Sequence, residues 1–315
     1  MTELVNKEWI NPNRVKYFEL EDFIDKIKLD PRIYELLSET DDLFEDYIKH
    51  LSNVYDNDLD SLVYDWLDQG IKEQVYSNEI ENHRIFFKDM AESDLFFEKL
   101  SINHERIKRI HKFVCDKGTT HTSIVGDYRK DKATVGTNIN GEYVVYWNGV
   151  EAEDIKKFMD NFIKVYKTNS LKEIYNNPFL KAALVHLLFV RIHPFGDGNG
   201  RTTRIIQNIA FTNGINKIYG SNLKLSPLNI SQGITVTKPE YVDILNRIHF
   251  DLDYDNNELI NAWFRYMLYR YQDQIYFQQS RFGKIDRKLE NYLKSKTPNV
   301  SDNSAEKMKI KKLFI

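Results

Sequence analysis

Residues 193–204 read HPFGDGNGRTTR, and this stretch joins two segments with helical patterns. It places a titratable ring, a carboxylate, three glycines and two guanidinium groups within twelve positions. Backbone amides freed by glycine, together with arginine side chains, are groups that bind phosphate oxygens. The stretch therefore predicts a site that holds and attacks a nucleotide phosphate.

The segments on either side predict two helices joined by a loop. Residues 179–192 are apolar nearly all the way round, which predicts a helix buried on every side. Pro194 ends this helix at His193, because proline disfavours helical geometry in the residue before it and cannot continue the hydrogen-bond ladder. A second helix is predicted from about residue 200 to residue 212, ending at the Asn213-Gly214 pair.

The start of the second helix predicts an anion-binding site. The amides of Gly198, Asn199 and Gly200 point out of the helix at the positive end of its dipole. Arg201 and Arg204 are three residues apart, so both lie on one helix face and can grip further oxygens.

Three other residues of the stretch have predicted roles. Asp197 can hold Mg²⁺, which binds proteins through one or two carboxylates plus phosphate and water. His193, with an ordinary pKa of about 6.5, can accept a proton at neutral pH. Phe195 is expected to pack inward and anchor the loop.

Each of these residues also has a purely structural interpretation. A histidine after a buried helix can be a packed or capping residue, and an aspartate before a helix can be a turn or N-cap residue. The glycines can serve turns, and the arginines can form a solvated helix face. It is the occurrence of all of them together that favours a phosphate site.

Two common nucleotide motifs are excluded by spacing. A Walker loop needs a second glycine five residues after Gly196, where this chain has Arg201. A dinucleotide fingerprint follows a strand with unequal glycine spacing, whereas these glycines are evenly spaced after a helix.

Composition excludes several broad classes of protein. The net charge of −3 argues against an extended nucleic-acid surface, and a single cysteine, Cys115, excludes both an internal disulfide and a cysteine-rich zinc site. No apolar run of about 18 residues or signal peptide is present. We therefore expect a soluble cytoplasmic protein with no membrane partner.

The rest of the chain is predicted to be mainly helical. Residues 20–85 show helical spacing of apolar residues. The Asn140-Gly141 pair, flanked by β-forming residues, predicts a hairpin within 126–147. Further helices are predicted at 103–115, 153–166, 240–248 and 257–277.

The stretch resembles the motif of the Fic family, His-x-Phe-x-(Asp/Glu)-Gly-Asn-Gly-Arg-x-x-Arg, at all eight fixed positions. The resemblance extends over about residues 60–275 and implies an all-α fold, a helical bundle with a small β-hairpin flap. Members of the family typically transfer AMP from ATP to a hydroxyl side chain of a protein.

The resemblance implies a role for each motif residue. His193 would deprotonate the target hydroxyl, and Asp197 would position Mg²⁺ on the phosphates of ATP. The 198–200 segment and Arg201 would bind the phosphates, and Arg204 would hold the γ-phosphate. The flap would dock the target protein by strand addition, for which we single out Gly136, Thr137, Tyr143 and Val144.

Two weaker features also follow from the resemblance. Ser77, Glu81 and Asn82 match an inhibitory pattern, in which Glu81 would pair with Arg204 and block the γ-phosphate. A base pocket would include Tyr241, but Val242 stands where a second tyrosine is common, so the nucleotide preference is open. His186 is expected to be a hydrogen-bonded core histidine.

The predicted organisation has three parts. Residues 1–100 form a helical region that carries the inhibitory pattern at 77–82, residues 101–280 form the catalytic domain, and residues 281–315 form a basic helical appendage. The predicted function is Mg²⁺- and ATP-dependent AMP transfer to protein hydroxyls, held low by Glu81. Self-modification and a homodimer are left open. The alternatives are a different phosphate-linked donor, removal of AMP from a modified target, or a catalytically silent interaction module.

Overall fold

The computed structural model describes residues 26–54, 101–115, 125–139, 141–168, 172–221, 223, 226–228, 230–251 and 257–296. These residues are mainly helical, with a two-stranded antiparallel sheet. The predicted all-α class with a small hairpin is thereby confirmed.

The described residues form nine α-helices and two strands in the following order. They are α1 (Pro31–Val54), α2 (His104–Cys115), β1 (Thr134–Ile139), β2 (Glu142–Asn148), α3 (Ile155–Lys167), α4 (Glu173–Asn176), α5 (Pro178–Ile192), α6 (Asn199–Tyr219), α7 (Ile230–Val236), α8 (Lys238–Asp251) and α9 (Glu258–Lys296).

Helix α5 lies at the centre of the core, as its apolar sequence predicts. All but one of its fifteen residues are buried. The start of the helix is stabilised by the Asn177 side chain, which accepts hydrogen bonds from the amides of Phe179 and Leu180, and by Pro178 in the first turn. It ends at His193, whose backbone is left-handed with φ 53°. The end predicted from Pro194 is confirmed.

Helix α6 packs along α5 and is longer than the sequence predicted. The expected end at Asn213-Gly214 is wrong, since the helix continues to Tyr219 and ends at Gly220, which has φ +62°. Gly214 instead serves helix packing, because a Cβ there would lie 2.7 Å from Cβ of Pro178. The glycine thus permits the two central helices to approach closely.

The hairpin forms where the Asn-Gly pair predicted it. Strands β1 and β2 pair from Thr134 opposite Asn148 to Ile139 opposite Glu142, with a bulge between Val135 and Gly136. A Cβ at Gly136 would lie 2.0 Å from the backbone oxygen of Val144, so the bulge requires glycine.

Helices α1 and α9 pack against each other and against the central helices. Phe44 of α1 makes edge-to-face contacts with Phe179 and Phe211, from α5 and α6. Asp30, just before α1, pairs with Arg265 of α9. Helix α9 is continuous through residue 281, so the predicted start of a C-terminal appendage falls inside a helix. The three-part division of the chain stays a prediction.

In the part of the chain described above, no helix is long and apolar enough to cross a membrane.

Candidate active site

The loop between α5 and α6 faces the hairpin across a cavity of about 340 Å³. The cavity brings together residues from the motif and from both strands of the hairpin. Its lining residues are Thr134, Val135, Gly136, Tyr143, His193, Gly196, Asp197, Gly198, Asn199, Gly200, Arg201 and Arg204. Every motif residue with a predicted chemical role therefore lies at one site.

His193 is held in one tautomer by its own helix. Its Nδ1 lies 3.3 Å from the backbone carbonyl oxygen of Val190, and a carbonyl can only accept. Nδ1 therefore carries the proton and Nε2 keeps its lone pair. That lone pair makes His193 competent to accept a proton.

The environment of His193 keeps its ring neutral. Burial lowers the pKa of His193 to about 4, and the nearby Arg129 guanidinium acts in the same direction. The Val190 carbonyl and the Asp197 carboxylate act in the opposite direction. At neutral pH the imidazole is thus available as a base, and an anionic ligand in the cavity would strengthen it.

Asn199 closes the loop on itself. Its side-chain oxygen accepts a hydrogen bond from the Phe195 amide at 2.9 Å, and its Nδ2 donates to the Phe195 carbonyl at 2.8 Å. Phe195 is fully buried, as predicted. The Asn199 side chain therefore shapes the loop, and the predicted binding of phosphate by Asn199 stays a prediction.

His111 of α2 supports the same loop from behind. Its ring stacks on Phe195 with centroids 3.7 Å apart and an interplanar angle of 3°. Its Nε2 donates to the Asp197 carbonyl at 2.9 Å, and its Nδ1 accepts from the Gly126 amide at 3.0 Å. Burial lowers the pKa of His111, which agrees with a neutral ring that both donates and accepts.

The Asp197 carboxylate is partly exposed to the cavity. One oxygen accepts from the Gly198 amide at 2.6 Å and the other from Nη2 of Arg201 at 3.1 Å. Each oxygen retains a lone pair, so the group can bind a hard cation such as Mg²⁺. Among the described residues, no group of three or more His, Cys, Asp or Glu side chains is arranged to hold a metal ion. A Mg²⁺ here would thus depend on one carboxylate plus ligand and water oxygens.

The first turn of α6 presents amides to the cavity. Gly198 precedes the helix with φ +75°, and its own amide is bonded to Asp197 rather than directed outward as predicted. The amides of Asn199, Gly200 and Arg201 form the first turn, at the positive end of the helix dipole. This arrangement suits an anion with several oxygens.

Arg201 and Arg204 supply the positive charge of the site. Arg201 is buried and donates to the Val114 carbonyl at 3.1 Å as well as to Asp197. Arg204 is half-buried and lies over Gly200, where a Cβ would be 3.3 Å from Nη1. The absence of a side chain at Gly200 thus gives Arg204 room against the first turn.

The predicted flap residues lie on both strands of the hairpin. Gly136 and the exposed Tyr143 line the cavity, and Thr137 pairs with Val144 in the strand register.

Tyr241 is not among the residues that line the cavity. Its hydroxyl donates to Nε2 of His186 at 2.9 Å, because Nδ1 of His186 donates to Gln207 at 2.6 Å. Burial lowers the pKa of His186 to about 3. The prediction that His186 is a hydrogen-bonded core residue is confirmed, and the Tyr241 hydroxyl is engaged by it.

Ser77, Glu81 and Asn82 lie outside the described residues. The inhibitory contact between Glu81 and Arg204 stays a prediction.

The sequence did not single out four residues that contact the site. His111 and Arg129 form hydrogen bonds with the loop, Trp147 packs against His193, and His249 stacks on Trp147. They come from α2, the segment before the hairpin, β2 and α8. No local spacing connects them to residues 193–204.

Comparison with known proteins places this site in a family. Residues 99–211 match the family model described as Fic/DOC family. The protein adenylyltransferase Fic of Nematostella vectensis is 34% identical over 116 residues, which are 37% of this chain and 24% of the relative. The protein adenylyltransferase Fic of Drosophila mojavensis is 28% identical over 134 residues, which are 41% of this chain and 24% of that relative.

A solved structure extends the likeness to the fold. A Fic family protein from Desulfovibrio desulfuricans G20 superimposes with a TM-score of 0.58 and 17% identity, covering 81% of this chain and 76% of that one. The matches to the adenylyltransferases span 24% of those proteins, so they describe a shared domain. Family model and curated relatives agree with the motif, and the chain therefore contains a Fic/DOC family domain, which spans residues 99–211.

Proposed function

We propose that this protein is a protein adenylyltransferase, which moves AMP from ATP to a hydroxyl side chain of a target protein. One observation carries the proposal: a single cavity joins a neutral histidine, an aspartate, a helix N-terminus and two arginines beneath a hairpin. Relatives that share the domain are named protein adenylyltransferase Fic.

His193 acts as the general base. Its Nε2 lone pair accepts the proton of the target hydroxyl, while Nδ1 stays bonded to the Val190 carbonyl. The hydroxyl oxygen then attacks the α-phosphorus of ATP, and the bond from that phosphorus to the pyrophosphate oxygen breaks. The new product is a phosphodiester between AMP and the target.

The remaining residues bind and stabilise the phosphates. The first-turn amides of α6 and the guanidinium groups of Arg201 and Arg204 face the charge that builds up as pyrophosphate leaves. Asp197 would hold Mg²⁺, which when bound neutralises part of the phosphate charge. The edge of the hairpin above the cavity offers the target backbone a strand to pair with.

We further propose that Glu81 restrains the activity by pairing with Arg204. The pattern Ser77-x-x-x-Glu81-Asn82 precedes the domain and supports this proposal. The Glu81→Gly variant should transfer more AMP, because Arg204 would be free for the γ-phosphate. Equal labelling of wild type and variant from α-³²P-ATP would refute the restraint.

The test of the function is transfer of label from α-³²P-ATP in the Glu81→Gly background, to the chain itself and to proteins of a cell extract. His193→Ala should abolish the label. The matched control is His50→Ala, an exposed histidine on α1 remote from the loop in sequence. Label that persists in His193→Ala, or no label with any nucleoside triphosphate, would refute the proposal.

A second donor is favoured by one observation. The Tyr241 hydroxyl donates its hydrogen to His186, and Val242 stands where a second base-pocket tyrosine is common in the family, so this chain lacks one of the contacts that would favour adenine. The same assay with α-labelled GTP, CTP and UTP decides whether transfer requires adenine.

A further inference from the structure

His193 has the only positive φ among the described residues other than glycine. Such a backbone costs on the order of 1 to 3 kcal/mol, so the surrounding structure must impose it. The residues that impose it also determine where the imidazole points. They lie outside the motif, on three different parts of the chain.

Arg129 holds the backbone at this point. Its Nε donates to the His193 carbonyl at 2.8 Å, Nη1 donates to the Asp131 carbonyl at 2.7 Å, and Nη2 donates to the Val150 carbonyl. Its own amide donates to the Pro194 carbonyl at 3.0 Å. The buried guanidinium thus donates hydrogen bonds to backbone carbonyls around the end of α5, where the helix dipole favours positive charge.

Trp147 holds the ring. Its indole meets the His193 imidazole edge-to-face, with centroids 5.1 Å apart at an interplanar angle of 90°. The indole also stacks on His249 of α8, with centroids 3.8 Å apart at an interplanar angle of 14°. Trp147 and His249 are each 3% exposed, so neither ring has room to turn away.

His249 supports the indole in turn. Its Nδ1 donates to the Leu245 carbonyl at 2.6 Å, which fixes the ring to its own helix. Burial and the nearby Arg191 guanidinium lower the pKa of His249 well below its ordinary value, so the ring stays neutral. The charged and titratable groups that act on His193 include Arg129, Asp197 and His249.

We propose that Arg129, Trp147 and His249 form a clamp that positions His193 for proton transfer. They are positioning residues, because they act through His193 and not on the substrate. The inference rests on the proposed function for its catalytic consequence, but the orientation of the ring can be measured without any reaction.

The close approach of Gly149 supports the clamp independently. A Cβ at Gly149 would lie 2.7 Å from Nη2 of Arg129 and 3.0 Å from Cβ of His193. The strand end thus leaves no space between the guanidinium and the histidine, and the Gly149 amide is bonded to the Ala133 carbonyl.

The direct test is ¹⁵N NMR of histidine-labelled protein, which reports the tautomer of each ring. In the wild type, His193 should be a single Nδ1–H tautomer. In Trp147→Leu, His193 should become a mixture of both tautomers, while Trp147→Phe should retain the wild-type signal. The matched control is Tyr146→Leu, a neighbour on the same strand whose side chain alternates to the other face. An unchanged single tautomer in folded Trp147→Leu would overturn the proposal.

A second test of the clamp measures kcat and KM in the Glu81→Gly background. Trp147→Leu and Arg129→Lys should each lower kcat by about 100-fold, with the KM for ATP unchanged within about twofold, because the phosphate site is intact. Arg129→Lys keeps the charge but cannot reach three carbonyls, and it serves as the decisive variant if Trp147→Leu does not fold. An equal loss in kcat and rise in KM would indicate general disruption and contradict the clamp. A fixed tautomer in a protein without transfer activity would refute the proposed function and leave the clamp standing.

Discussion

Nε2 of His111 lies 2.9 Å from the backbone oxygen of Asp197, and this bond ties helix α2 to the loop that carries the carboxylate. The two residues are 86 positions apart. Because the Phe195 ring stacks on the same imidazole, α2 positions both the buried Phe195 and the cavity-lining Asp197. The loop is therefore positioned from outside the motif as well as by its own hydrogen bonds.

Replacing His111 tests this support. His111→Phe keeps an aromatic ring against Phe195 but removes both hydrogen bonds, so Asp197 should lose its fixed position. We expect transfer activity and Mg²⁺ affinity to fall by about 10- to 100-fold, measured by Mg²⁺ titration of label transfer. His104→Phe on the same helix loses contacts with Tyr128 and Asp160 instead and should retain Mg²⁺ affinity. Wild-type affinity in His111→Phe would contradict the role.

Gly198 and Gly220 both have positive φ, so alanine strains the backbone at either position, but only at Gly198 would the added Cβ also clash. Gly198→Ala would place a Cβ 2.3 Å from Sγ of Cys115, whereas Gly220→Ala meets nothing within 4 Å. Gly220→Ala should cost about 1 kcal/mol of unfolding free energy, and it should leave nucleotide binding intact. Gly198→Ala should cost more and weaken nucleotide binding. Urea unfolding and nucleotide titration of both variants check this. Equal losses of unfolding free energy would show that the Cys115 side chain moves away from the added Cβ without a measurable penalty.

The Asp197 carboxylate should set the Mg²⁺ dependence. Asp197→Asn preserves a side-chain acceptor for the Gly198 amide but removes the charge, so more Mg²⁺ should be needed for half-maximal transfer. We expect at least about a tenfold increase. Asp127→Asn is the control, because that carboxylate pairs with Lys108 at the surface. An unchanged Mg²⁺ requirement would place the cation elsewhere.

Asp41, which contacts Asn177 at the start of α5, should make the stability of the fold depend on pH. Burial raises its pKa to about 6 from 3.8, while the hydrogen bond from Asn177 acts the other way. The folded state therefore binds more protons than the unfolded state between these values, and the carboxylate destabilises the fold increasingly as pH rises from 3.8 to 6. Above that range the penalty is constant.

Asp41→Asn should remove this penalty. We expect a gain of about 1 kcal/mol at pH 7.5, after allowance for the partial exposure of the group, and a gain near zero below the ordinary carboxyl pKa. Thermal unfolding of both proteins at several pH values measures the difference. A gain that does not depend on pH would show that the carboxylate is not the cause.

The features that the sequence predicted are those with local causes. Helix α5 and its end follow from an apolar run and one proline, and the hairpin follows from Asn140-Gly141. The predicted end of α6 was wrong because Gly214 packs against Pro178 of α5. Helix packing there overrides the local turn preference of the Asn213-Gly214 pair.

The support of the site could not be predicted, because it depends on contacts distant in sequence. Arg129 and His193 are 64 positions apart, and neither spacing nor composition connects them. Asn199 shows the same limit at short range. An amide side chain in a phosphate motif predicts a phosphate ligand, but nothing in the spacing predicts the two hydrogen bonds by which Asn199 also holds the Phe195 backbone.

The left-handed residue that ends α5 is also the proposed base, and this fixes the length of the helix. One residue inserted into or deleted from α5 would turn His193 by about 100° around the helix axis. The imidazole would then leave the indole of Trp147 and the cavity together. Exchange of one buried apolar residue of α5 for another can be absorbed by repacking, but a change in its length cannot. The residue count between Asn177 and His193 is thus as much a part of the chemistry as the identity of the histidine.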